Sequence, residues 1–219
     1  MFGVIFDMDG VIVDSNPVHK KSIRVFCERY DTEVSDRFLV DRVFGRKNSD
    51  WLPEVFESIK SEDIERLSEE KEELFREMFD PIKYQVPGVK EFIRELGRAS
   101  VPMAVATSAP ASNSSYILGE LNIQNYFRAV MHTSDVQRGK PAPDIYEKAA
   151  SKLKLSPAQC VVFEDSPTGA RAAKSAGCIT VGVTTTYSDK VLKDCSRVIE
   201  NFEQVTTEEV RLWLSEGRS

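Results

Sequence analysis

From residue 87 onward, short unbroken apolar runs alternate with stretches of helical periodicity, and this alternation constrains the fold more than any other feature. The runs lie at 101–106, 129–132, 160–163, 180–183 and 197–199, with helix candidates near 89–98, 112–121, 144–153 and 168–176. A strand that is apolar at every position has both faces covered. Strands separated by helices are parallel, so the pattern predicts βαβ units and an α/β sheet. Residues 2–6 form one more run, yet no second run follows it until residue 101.

The intervening stretch has a different period. Ile64, Leu67, Lys71, Leu74, Phe75 and Met78 recur at helical spacing, with charged residues between them. The simplest organisation is an α/β core of residues 1–14 and 87–219 with a helical domain, 15–86, inserted after the first strand. Linkers fall near 14–16 and 85–88.

Charge adds exclusions. The chain has 29 Lys and Arg against 35 Asp and Glu, a net −6, which argues against nucleic acid or an anionic membrane as partner. Much of the acidity sits in 54–80, with eleven acidic and four basic residues, which reads as a solvated helix face. An anionic ligand elsewhere on the chain is therefore compatible with the overall sign. The four cysteines are far apart and form no C-x-x-C, and the only histidines are His19 and His132. That scatter fits reduced thiols better than a disulfide framework or a zinc site, and two histidines exclude a His-rich metal site. The N-terminus lacks a basic region before its apolar run, and no apolar stretch is long enough for a membrane span. A cytoplasmic protein is expected.

Four short motifs follow predicted strands, where open α/β sheets place their ligands. In the first, Asp7 and Asp9 lie two residues apart ahead of Gly10. They suit a metal ligand with a general acid, or a nucleophile with an acid. A polar turn accounts for them equally in isolation, while a calcium loop would carry its glycine at the sixth position. Thr107 and Ser108 place hydroxyls at a strand end, fit for a phosphate oxygen or for local capping. Lys140, between Gly139 and Pro141, suits an anionic intermediate or a surface turn. Glu164 and Asp165 end a strand just before a helix and fit a divalent cation, with Asp165 or Ser166 as a plain helix cap the alternative.

Taken together, the four describe phosphoryl transfer. Asp7, Glu164 and Asp165 supply hard oxygen ligands for Mg²⁺, and Lys140 and Thr107 hold the transferring oxygens. Asp7 attacks phosphorus, and Asp9 protonates the leaving oxygen and then activates the acceptor. For Asp7 and Asp165 to share one metal, the first strand must neighbour the 160–163 strand.

These motifs resemble the haloacid dehalogenase superfamily, within it the sugar-phosphate phosphatases and β-phosphoglucomutases. The matching segments are DMDGVIVDS at 7–15, ATS at 106–108, GKPAPD at 139–144 and FEDSPTGARAAKSAG at 163–177. The resemblance covers nearly all of the chain. It implies a Rossmann-like core with strand order 5-4-1-2-3, and it makes the helical insert a mobile cap. By the same resemblance Asp7 is the nucleophile, Asp9 the acid/base, Thr107 and Lys140 the phosphate holders. Asp7, the Asp9 carbonyl, Glu164 and Asp165 form the Mg²⁺ site. It further implies a substrate-binding set of Ser108, Ala109, His19, Gly45, Arg46, Lys47, Asn48 and Asn113. The partner is a small phosphorylated metabolite, and the chain a monomer.

Asp9 points to phosphate esters, because dehalogenases and phosphonate hydrolases of the superfamily lack the second aspartate. Two outcomes remain open, hydrolysis of a sugar phosphate and transfer to another sugar hydroxyl in a mutase. His19 stands where mutases carry a histidine, but sister phosphatases resemble it there. Asn48 stands where mutases carry an arginine. A phospho-receiver domain also uses an acid pair, Ser/Thr and Lys-Pro, but has no inserted cap.

Overall fold

The computed structural model describes residues 1–43, 47–56 and 59–216. The chain divides into two compact units, Met1–Asp14 with Pro81–Ser219, and Ser15–Asp80.

The first unit is built on a fully parallel six-stranded sheet. Its strands are β1 (Gly3–Phe6), β2 (Met103–Thr107), β3 (Phe127–His132), β4 (Cys160–Glu164), β5 (Ile179–Val183) and β6 (Arg197–Ile199). They lie in the order β3-β2-β1-β4-β5-β6. The expected sequence of five strands is present, and the run at 197–199 extends it by one at the β5 edge. The order in which successive strands are laid down reverses between β1 and β4, which pair in parallel with Phe6 aligned on Phe163. Such a switch point leaves a crevice at the carboxyl ends of the two strands.

Strand alternation gives the sheet two different faces. Ile5 and Val162 face a layer that includes Ile145, Tyr146 and Ala149 of helix α7 (Asp144–Lys152) and Ala172 and Ala173 of α8 (Pro167–Ala176). Phe6 and Phe163 point the other way and stack at 5.4 Å. Phe92 of α5 (Val89–Arg98) and Phe202 complete that aromatic cluster, with ring centroids 5.0–6.1 Å apart. Each fully buried ring contributes about 1.5–3 kcal/mol. Phe6 at the end of β1 and Phe163 in β4 are thus anchored immediately before the acidic groups.

α8 shows how local sequence sets an element. Ser166 accepts from the Gly169 N–H as N-cap, Pro167 opens the first turn, and Gly177 ends the helix in a left-handed conformation. α6 (Ala111–Glu120) and α9 (Thr207–Glu216) complete the unit. The return segment after the insert is tied to the sheet unit: Asp14 N–H donates to Tyr84 O, and Val86 N–H to Ile12 O.

The second unit comprises α1 (Asn16–Glu28), α2 (Asp36–Phe38), a π-helical turn at Leu39–Val43, α3 (Asn48–Val55) and α4 (Ser61–Met78). Its core includes Ile23, Phe26, Trp51, Leu52, Leu67 and Leu74. The acidic run reads differently here from a uniformly solvated face, because Lys71 and Glu72 are both buried on α4. Among the described residues no helix is long and apolar enough to cross a membrane. All four cysteines are free.

Candidate active site

β1 and β4 deliver acidic groups to one end of the sheet. Asp7 follows β1 directly, and its N–H donates to the Phe163 carbonyl at 3.0 Å, carrying the pairing of the two strands one step past β1. The chain then coils. The N–H groups of Val11, Ile12 and Val13 all point to the Met8 carbonyl, and Gly10 N–H donates to Val13 O at 2.7 Å. Gly10 has φ +75°, and a Cβ there would meet Asp165 Oδ2 at 2.0 Å. Glycine is thus required twice over, for its backbone conformation and for the approach of the Asp165 carboxylate. Gly169 plays the second role for Glu164, whose Oε1 would lie 1.7 Å from a Cβ.

The result is a buried group of three carboxylates, Asp7, Glu164 and Asp165, with one oxygen of each within 4.8 Å of the others. Among the described residues, the Lys140 ammonium faces them. Lys140 Nζ donates to Asp7 Oδ1 at 2.9 Å, to Glu164 Oε1 at 2.5 Å and to the Ala106 carbonyl at 3.1 Å. Glu164 also accepts from Tyr146 Oη at 2.6 Å on Oε1, and from Ser166 N–H and Oγ on Oε2. The Lys140 ammonium lies 5.1 Å from the centroid of the Tyr146 ring.

The electrostatics follow from burial and mismatch of charge. Burial pushes the Asp7 carboxyl up to about 7; Lys140 pulls against it, and Glu164 and Asp9 add to it. Asp165 is also driven up, by burial and then by Glu164 and Asp7, against the Thr186 hydrogen bond and Lys140. Lys140 is the reverse case: burial disfavours its charge, but Asp7 and Glu164 more than restore it. Three carboxylates against one ammonium is an unbalanced set at low dielectric. A divalent cation among their oxygens would correct it, and all-oxygen donors suit a hard ion such as Mg²⁺. The residues therefore fit the metal.

The other sequence-predicted residues are spread over both units. Thr107 ends β2 fully buried and accepts from Ala109 N–H at 3.0 Å. Asp9 is half-buried and bridges to Val13, while Ser108 is exposed. Asn113 is buried on α6.

In the helical unit, His19 stacks on Phe75 at 3.7 Å, and Lys71 Nζ lies 3.3 Å from its Nδ1. Lys71 also donates to Glu72 at 2.8 Å. Asn48 donates to Glu72 at 2.8 Å and accepts from Trp51 Nε1 at 3.1 Å. Burial raises the Glu72 carboxyl, but Lys71, His19 and the bonds from Lys71 and Asn48 outweigh it and hold it at about 2. Lys47 is exposed before α3; Gly45 and Arg46 lie outside the described residues.

Sequence reasoning missed Tyr146 and Thr186. Tyr146 falls two residues beyond the third motif, and no spacing in the sequence links its hydroxyl to Glu164. Thr186 follows β5, three residues past its end, and no spacing links it to Asp165.

The fold and site define a class: α/β proteins with a buried carboxylate cluster at the switch point and a helical insertion after the first strand. Residues 4–183 match the haloacid dehalogenase-like hydrolases. A phosphorylated carbohydrates phosphatase of Thermotoga maritima is 34% identical over 81% of this chain and 82% of its own. A β-phosphoglucomutase of Bacillus subtilis is 31% identical over 84% and 83%. The crystal structure of a family IA hydrolase from Entamoeba histolytica superposes with a TM-score of 0.86, at 28% identity, over 98% of this chain and 100% of that one. The chain belongs to the haloacid dehalogenase-like hydrolases, in the subfamily similar to β-phosphoglucomutases and sugar-phosphate phosphatases. It is a phosphatase of that family, a phosphoric monoester hydrolase.

Proposed function

We propose that this phosphatase hydrolyses a small phosphorylated metabolite, a sugar phosphate, using Mg²⁺ and a phosphoaspartate on Asp7. The observation that carries the reading is the buried Asp7–Glu164–Asp165 cluster with the Lys140 ammonium bonded to two of its members. Asp7, Glu164, Asp165 and the Asp9 main-chain carbonyl would hold the ion, whose charge lets an anionic nucleophile meet an anionic phosphate.

The residues of the chain divide the work as follows. An Asp7 carboxylate oxygen forms the bond to phosphorus as the bond to the ester oxygen breaks, and Asp9 gives its proton to that leaving oxygen. Water then attacks phosphorus, Asp9 takes the proton back, and the bond to Asp7 breaks to release inorganic phosphate. Lys140 stabilises charge on the transferring oxygens from a fixed, water-poor position. Thr107 supplies a hydroxyl beside it.

A second reading is a phosphosugar mutase, and the Bacillus subtilis relative supports it. Asn48 favours hydrolysis, since its amide is engaged by Glu72 and Trp51 in place of the arginine a mutase carries there. The test supplies a panel of sugar phosphates, glucose 1-phosphate included, with Mg²⁺, and follows inorganic phosphate and sugar isomers separately. Phosphate without isomer is expected, and Asp7→Asn is expected to abolish it. Isomer with little phosphate supports the mutase instead, and full activity in Asp7→Asn removes the nucleophile.

A further inference from the structure

β5 ends at Val183 and is followed by three consecutive threonines that belong to none of the four motifs. Two of them reach across to different motif loops. Thr185 Oγ1 donates to the Gly10 carbonyl, in the loop after β1. Thr186 Oγ1 donates to Asp165 Oδ2, after β4. The two targets are themselves in contact, because Asp165 Oδ2 fills the space where a Gly10 Cβ would stand. One dipeptide therefore holds both sides of the closest approach between the two loops.

Asp165 gains a defined orientation from this. It is buried, and among the described residues the hydrogen bond it accepts from Thr186 falls on one oxygen, Oδ2. The other oxygen is left for a cation. A carboxylate with two free oxygens could rotate about its terminal torsion, which is broad and roughly two-fold. A hydroxyl fixed to one oxygen removes that freedom. The Gly10 carbonyl is the next main-chain acceptor after that of Asp9, so Thr185 fixes the peptide immediately beyond the one proposed to face the ion.

We propose that Thr185 and Thr186 are positioning residues that hold the Gly10 peptide and the Asp165 carboxylate in the geometry that binds the metal ion. The proposal rests on the reading of Asp7, Glu164 and Asp165 as a Mg²⁺ site. A partner bonded directly to a ligand, as Thr186 is to Asp165, is worth about 10–100-fold in metal affinity, and Thr185 acts one peptide further away. Thr186 lies at the surface, where water competes for the hydroxyl, so its effect falls at the lower end of that range.

The test measures Mg²⁺ binding to metal-free protein by calorimetric titration, which needs no substrate. Thr186→Val and Thr185→Val, close in shape but lacking the hydroxyl, are each expected to weaken Mg²⁺ about 10-fold. Thr186→Ser and Thr185→Ser, which keep the hydroxyl, are expected to bind as the wild type does. The unfolding midpoint in EDTA is expected to be alike in all of them, so that the loss is one of metal affinity and not of folding. Asp165→Asn separates the two levels of the argument. Unchanged affinity in both valine variants, with loss in Asp165→Asn, overturns the clamp alone. Unchanged affinity in Asp165→Asn as well overturns the metal site and the clamp with it. Failure of serine to restore binding also overturns the clamp.

Discussion

Replacing Tyr146 by phenylalanine isolates one hydrogen bond at the centre of the site. The ring is fully buried, so the substitution removes a single oxygen and leaves the packing against α7's neighbours in place. What is lost is the 2.6 Å bond to Glu164 Oε1. That oxygen retains Lys140, and Oε2 retains both Ser166 donors. A hydrogen bond to a charged acceptor contributes about 1.5–3 kcal/mol, and the buried acceptor has no water to replace it. The expected loss of stability in metal-free Tyr146→Phe is therefore about 2 kcal/mol, read as a lower urea midpoint with unchanged slope. The phenyl ring still lies under the Lys140 ammonium, so that contact survives. Tyr146→Leu removes it too, at a further ~0.5–2 kcal/mol for the cation–ring attraction and more for the cavity. The order wild type, Phe, Leu is thus fixed in advance. A Phe variant as stable as the wild type would show that the hydroxyl contributes nothing net to Glu164, and the account of how that carboxylate is tolerated in the core would fail.

Other consequences follow from the same geometry. Lys140→Met leaves Asp7 and Glu164 buried without their cation; we expect phosphate release to fall by about 10²–10³, and metal-free stability by about 3–5 kcal/mol, measured by phosphate assay and urea unfolding. Gly10→Ala places a methyl 2.0 Å from Asp165 Oδ2 on a left-handed residue, so Mg²⁺-dependent activity should be lost, and a Gly10→Ala enzyme with wild-type activity would contradict the packing described. Glu72 provides a pH signature. Its folded value of about 2 lies below its ordinary 4.5, so its contribution is complete above pH 4.5 and disappears as pH falls through 2. Between pH 6 and pH 3 the wild type should lose about 2 kcal/mol more than Glu72→Gln, checked by urea midpoints at the two pH values; equal losses would refute it.

The parts of this architecture that were legible in sequence are those set by burial along a single element. β1, β2 and β4 lie inside the sheet with both faces covered, and their unbroken apolar runs announce it. The four acids were visible because they sit at or just past the ends of β1 and β4, where the sheet itself fixes position, and Lys140 because Gly139 and Pro141 flank it. Contacts made across elements were not legible. Tyr146 is one apolar-looking position on an amphipathic helix, and nothing in its spacing says that its hydroxyl ends at Glu164. Thr185 and Thr186 look like turn residues. Lys71 and Glu72 fell within a run of charges whose average is solvated, and only their pairing, with Asn48 and His19 beside them, makes burial affordable.

Ser166 occupies two networks at once: its oxygen accepts from the Gly169 amide at the start of α8 while its proton goes to Glu164 Oε2. A hydroxyl that donates strongly is also a better acceptor, so the two bonds reinforce one another. The first turn of α8 is then a spectator wired to the charge on Glu164. Deuterium uptake at the Gly169 amide becomes a native readout of the Ser166–Glu164 bond, faster in Glu164→Ala than in the wild type, at a nitrogen that does not bond to that carboxylate.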